Sequence, residues 1–147
     1  ENANPEKCAV IALFHDDGEI RVGDQHKVGA RYFKLNEAEK EALKEQVAYL
    51  PNNLGEKITS LVEEKENRST KEGIVVQDAD WLEVALQAKI FAEQGYKGTE
   101  NWIDNVEKAL ETESAKKILA EIRKTDDFTN IWWQDLKKMT YDKIKNK

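Results

Sequence analysis

Positive charge is what this chain most plainly lacks. Against 29 Asp and Glu stand 23 Lys and Arg, for a net charge of −6. That balance disfavours binding to nucleic-acid polymers, whose phosphate backbones are gripped by clustered cations. A compact anionic ligand stays open to it if a metal supplies the positive charge. Glycine and proline are scarce, 7 and 2 in 147 residues, which points to a mostly helical protein. Cysteine is nearly absent. Cys8 alone cannot form an internal disulfide, and on an apolar helix it reads as a core thiol. One cysteine and no secretory signal lead us to expect a cytoplasmic protein. No apolar run approaches the ~20 residues that span a bilayer, so no membrane partner is expected. The length suits one domain, residues 1–147, with a single core.

What is present is a series of helix signals. Asn4 and Pro5 place an N-cap and a proline at N1. Residues 8 to 14 are apolar without a break, so this helix is expected to be buried on nearly every side. Residues 17 to 33 carry Gly18, Gly23 and Gly29 and read as a loop with one short helical turn. Asn36 and Glu39 have capping-box spacing and open a helix to about Leu50, with Leu43, Val47 and Leu50 inward and Pro51 ending it. Asn53 caps the next, to about Glu66, with Leu54, Ile58, Leu61 and Val62 in a stripe. Ser69 or Thr70 starts the longest helix, about Lys71 to Gln94, with Gly95 at C′. Thr99 opens a helix to about Glu111 with Trp102, Val106 and Leu110 inward, and Ser114 opens one to about Lys124 carrying Ile118, Leu119 and Ile122. A last helix is expected from about Asn130 to Ile144. The fold class is therefore all-α, with about six to seven helices around the long one.

Two helices carry chemistry. The long helix is apolar around almost its whole circumference, yet Asp80, Glu83 and Gln87 fall on one stripe at i, i+3 and i+7. A buried carboxylate needs a cation or strong donors, and a salt bridge from a neighbouring helix or a metal would serve. The first helix ends in His15 and Asp16 ahead of Gly18. Adjacent residues on a helix diverge by about 100°, but a turn at a helix end lets both converge. Imidazole nitrogen and carboxylate oxygen suit Mn, Fe, Co, Ni or Zn.

His15-Asp16, two spacers, Glu19, then Gly23-Asp24, together with Asp80-Trp81-Leu82-Glu83 on the long helix, resembles the signature of HD-domain phosphohydrolases. The 5'-deoxynucleotidase branch is the closest in pattern. Leu86-Gln87-Ala88 and Arg31-Tyr32-Phe33 add to the likeness, which covers about residues 5 to 95. The resemblance implies an HD-type helical bundle and one divalent transition metal held by His15, Asp16 and Asp80. It implies Glu19 in proton transfer or water positioning and Asp24 against the sugar of a nucleoside monophosphate. His26 and Lys27 stand where the better-known members have a proline-containing turn; they either face a phosphate or are solvated loop. Asp17 adds a carboxylate, but no further His cluster supports a second metal.

The family also carries an earlier metal-ligating His, and none of the fourteen residues before His15 is His. With Glu1 rather than Met at the start, we expect the N-terminal helices of the domain to be absent from this stretch. An exposed apolar surface and an incomplete metal sphere would then result. The expected activity is metal-dependent release of phosphate from nucleoside 5'-monophosphates, with deoxynucleotides first. The alternatives are a phosphodiesterase or pyrophosphohydrolase on another nucleotide, or an inactive helical interaction module. Trp102, Trp132 and Trp133 fit packing or a dimer surface, and residues 125–147 are expected at the periphery or at a homodimer interface.

Overall fold

A computed structural model describes residues 1–51 and 53–128. Their regular structure is entirely helical: α1 (Pro5–Phe14), α2 (Glu19–Val22), a 3-10 turn (Gly29–Arg31), α3 (Leu35–Val47), α4 (Leu54–Glu66), α5 (Lys71–Glu93), α6 (Glu100–Ala109) and α7 (Glu113–Lys124). The chain forms two compact units, Glu1–Gln77 and Asp78 onward, with the boundary inside α5. No helix among the described residues is long and apolar enough to cross a membrane. The expected helix at 130–144, with Trp132 and Trp133, lies outside the described residues.

In the first unit α4 packs against both α1 and α3, and α2 against α3. Leu43 and Val47 of α3 meet Ile58 and Val62 of α4, with Phe14 beside them. Ile11, Leu61 and Val76 form a second cluster with Cys8 against it, as a core thiol should. Burial raises the Cys8 thiol pKa further from reactivity. Polar bonds fix where α1 begins. The Asn4 side chain accepts from Glu6 and Lys7 N–H, and the Asn4 N–H donates to Glu72 Oε1 at 2.8 Å. Lys7 Nζ lies 2.7 Å from Glu64. The start of α1 is thereby tied to the end of α4 and the start of α5, which directs its C-terminus to the site described below. Thr70 caps α5 by accepting Gly73 N–H at 3.1 Å.

Four expectations change in this unit. α1 is not buried all round: Ile11 alone is fully buried, while Leu13 is 70% exposed and Val10 lies open too. A single stripe of α1 meets α4 and α5, so its other apolar faces meet solvent. The Asn36–Glu39 capping box does not form. Helix α3 starts at Leu35 with Lys34 at the N-cap and no side-chain cap bond, which puts Asn36 inside the first turn. It also stops at Val47, leaving Leu50 exposed. Leu54, first in α4, is exposed as well, and Gly55 is buried in its place. A Cβ on Gly55 would lie 2.7 Å from the Val47 carbonyl oxygen, so α4 starts flush on the end of α3.

In the second unit Ala85 and Ala88 of α5 pack with Ile103, Val106 and Leu110, and with Ala115 and Leu119 of α7. Helix α5 closes as expected. Gly95 has φ +93, its N–H bonds Ala92 O and the Tyr96 N–H bonds Phe91 O, a Schellman motif. The Phe91 and Tyr96 rings meet edge-on at 5.6 Å across it. The inward stripe of α6 runs through Ile103 rather than Trp102, which is exposed. In α7 the N-cap is Thr112, whose side chain accepts Ala115 N–H, rather than Ser114; Ile118 faces out and Ala115 in.

Candidate functional site

The site begins where α1 runs out. Beyond Phe14 the backbone tightens through short i→i+3 bonds: Asp17 N–H to Phe14 O, Glu19 N–H to Asp16 O at 2.9 Å, and Arg21 N–H to Gly18 O. Gly18 is right-handed, with φ −58 and ψ −36, so it does not end the helix by turning left-handed. Its function is space. It is buried, and a Cβ there would lie 2.6 Å from the Glu39 carbonyl oxygen and 3.1 Å from the Glu39 Cα. The turn rests directly on the backbone of α3.

This turn brings His15 and Asp16 together, with Nε2 3.0 Å from Oδ2. On its other side the ring places Nδ1 2.8 Å from the Ala12 carbonyl. A carbonyl only accepts, so we assign the ring hydrogen to Nδ1. In the neutral ring Nε2 then presents a lone pair to a carboxylate oxygen that also only accepts. Two acceptors at 3.0 Å require a proton or a cation between them. A backbone-bonded Nδ1–H with Nε2 turned to a carboxylate is the arrangement of a metal-ligating imidazole.

Glu19, at the start of α2, is half-buried. Burial, then the charges of Asp16, Asp24 and Glu39, push its carboxyl up to about 7, against a smaller opposing effect of Lys65. Glu39 is pushed up too, by burial and then by Glu66, Asp16 and Asp24. A cavity with about 20 Å³ of accessible space is lined by His15, Glu19, Glu39, Lys40 and Glu66 among others. Glu39 does not act as the capping residue its spacing from Asn36 suggests; it stands at i, i+4, i+8 with Leu43 and Val47, on the buried stripe of α3.

The remaining candidates are placed as follows. Asp24 is exposed after Gly23, whose φ is +78. His26 accepts Gly29 N–H through Nδ1 at 3.0 Å, so its ring closes its own loop; Lys27 is exposed. Asp80 is partly buried on α5 in the second unit, and Glu83 is exposed. The fully buried carboxylate of α5 is Asp78, 1% exposed. Its oxygens accept the N–H groups of Glu111 at 3.2 Å and Thr112 at 2.7 Å. The burial expected of the Asp80 stripe belongs to Asp78, which is satisfied by backbone donors. Among the described residues no three His, Cys, Asp or Glu side chains gather closely enough to hold a metal ion.

The chain belongs to the HD-domain family: the family profile matches residues 1–125. It is similar to proteins named 5'-deoxynucleotidase HDDC2. The Danio rerio protein is 31% identical over 145 residues, 88% of this chain and 72% of the relative. The Homo sapiens protein is 31% identical over 98 residues, 66% of this chain and 48% of the relative. The Bos taurus protein is 34% identical over 89 residues, 60% of this chain and 43% of the relative. In the last two the matched stretch spans less than half of the relative. No solved structure matches. HD domains generally depend on a divalent metal, and the His15–Asp16 donor pair beside surplus carboxyls suits one.

Proposed function

We propose that this chain carries the site of a metal-dependent phosphohydrolase that releases phosphate from nucleoside 5'-monophosphates, with deoxynucleotides preferred. The observation that carries the reading is His15, its Nδ1 committed to the Ala12 carbonyl and its Nε2 facing Asp16, one turn from a carboxyl with a pKa of about 7. Membership in the HD-domain family and the names of the similar proteins support it.

His15 and Asp16 would hold the ion, and the family pattern implies Asp80 as a further ligand. When bound, a divalent metal lowers the pKa of a coordinated water and offsets charge on phosphoryl oxygens. The chain supplies the rest. Ala12 O fixes the His15 tautomer and ring plane. Glu19 carries a carboxyl whose pKa of about 7 suits taking or giving a proton near neutrality, where general acid–base catalysis is most effective. Asp24 serves as acceptor for a sugar hydroxyl, and Lys27 offers the loop's charge to the phosphate, while His26 shapes that loop through Gly29.

The test is phosphate release by metal-stripped protein reloaded with Mn, Co, Ni, Fe or Zn, on a panel of nucleoside monophosphates and cyclic nucleotides. Release from deoxynucleoside monophosphates is expected. No release with any metal would sink the reading, and release from cyclic nucleotides alone would move it to a phosphodiesterase.

A further inference from the structure

The cavity beside His15 is built by three segments of the first unit, the turn into α2 and the helices α3 and α4. Its size, about 20 Å³, is room for about one water, which needs two to four polar partners. Of the polar side chains around it, Lys40 and Glu66 already pair with each other at 2.8 Å. Glu19 and Glu39 both line it as well. These two carboxyls are acceptors for a molecule in the cavity, one on each side of the Gly18 contact. Gly18 sets their separation, because the turn that carries Glu19 presses on the backbone of Glu39 itself.

We propose that Glu39 is a positioning residue for Glu19: seated by Gly18, its carboxyl forms a second wall of the cavity and holds Glu19 in place through the single water lodged there. This rests on the phosphohydrolase reading. A comparison inside the same unit separates it from mere packing. Gly55 makes the same kind of close approach, 2.7 Å from a carbonyl oxygen of α3, but does not line the cavity.

The experiment compares wild type, Glu39→Gln, Glu39→Ala, Gly18→Ala and Gly55→Ala, each metal-loaded, by kcat, KM, bound metal and thermal midpoint, with a high-resolution crystal structure of wild type and Glu39→Ala. Glu39→Ala and Gly18→Ala are expected to lose roughly 10- to 100-fold in kcat, the usual loss for a supporting residue, with KM and metal content unchanged. Glu39→Gln is expected to fall between them and wild type, since it keeps an acceptor. Gly55→Ala lowers the midpoint and keeps kcat. The wild-type crystal should show one water between the two carboxyls, and Glu39→Ala should show Glu19 moved. If Gly18→Ala does not fold, the two Glu39 variants decide. Wild-type kcat in Glu39→Ala overturns the inference alone, and so does a kcat loss in Gly55→Ala equal to that in Gly18→Ala. Absence of turnover in wild type sinks the phosphohydrolase reading as well.

Discussion

Replacing Glu19 by Gln should stabilise the metal-free protein at pH 8 while abolishing turnover. In the folded chain the Glu19 carboxyl is raised from 4.5 to about 7, so between those values the folded state binds the proton and the unfolded state does not. Stability linked to this group is fully present below pH 4.5 and is lost as pH rises through about 7. Taken whole, the difference is worth at most ~3.4 kcal/mol. Because Glu19 is only half-buried, solvent screening reduces this to about 1–2 kcal/mol. Glutamine copies the shape of the protonated acid and does not ionise. Urea unfolding of metal-stripped wild type and Glu19→Gln from pH 4 to pH 8 reads the effect directly. The two should agree at pH 4 and separate to ~1–2 kcal/mol in favour of the variant at pH 8. Parallel curves across that range would refute the reasoning, because the cluster would then place no cost on the Glu19 charge.

Asp78→Ala leaves the N–H groups of Glu111 and Thr112 without their acceptor and should cost about 2–4 kcal/mol in urea unfolding; a loss under ~1 kcal/mol would show that water replaces the carboxylate. Gly95→Ala forces φ +93 on a side chain and should cost ~1 kcal/mol, seen as a lowered midpoint with kcat kept. Asp80→Ala should abolish metal retention after dialysis; stoichiometric metal in that variant would remove Asp80 from the ligand set. Removal of the metal by chelation should stop phosphate release, and readdition should restore it.

The sequence made the helices legible wherever a capping residue or a glycine acted locally. Asn4, Thr70 and Gly95 each do what their chemistry suggests, since their partners lie within a few residues. It was less legible where phase decides burial. Trp102 and Ile118 are large and apolar, and both were expected inward, yet Ile103 and Ala115 take the buried positions. A helix whose start moves by one or two residues turns a different stripe to the core, and no composition rule fixes that. Unbroken apolar runs also misled. Residues 8 to 14 are apolar throughout, but burial depends on how many neighbours a helix has, and α1 packs one stripe.

The site divides along the same line. His15 and Asp16 were recognisable as adjacent ligand types, and the tightened turn does bring them to 3.0 Å. Glu39 shares a helical stripe with Leu43 and Val47, but its contact with Gly18 joins residues distant in sequence, which spacing does not show. Asp78 shows the converse. Buried carboxylates on an apolar helix invite a functional reading, but this one is consumed by two backbone N–H groups at the start of α7. The distinction is physical. Asp78 has donors that satisfy its charge, whereas Glu19 and Glu39 are half-buried beside other acids, Asp16 and Asp24 among them, with Lys65 as the opposing charge that acts on both. A cluster with more anions than cations raises the energy of the empty fold. A bound cation would lower it again, so under the proposed function the site would trade stability of the empty fold for ion binding.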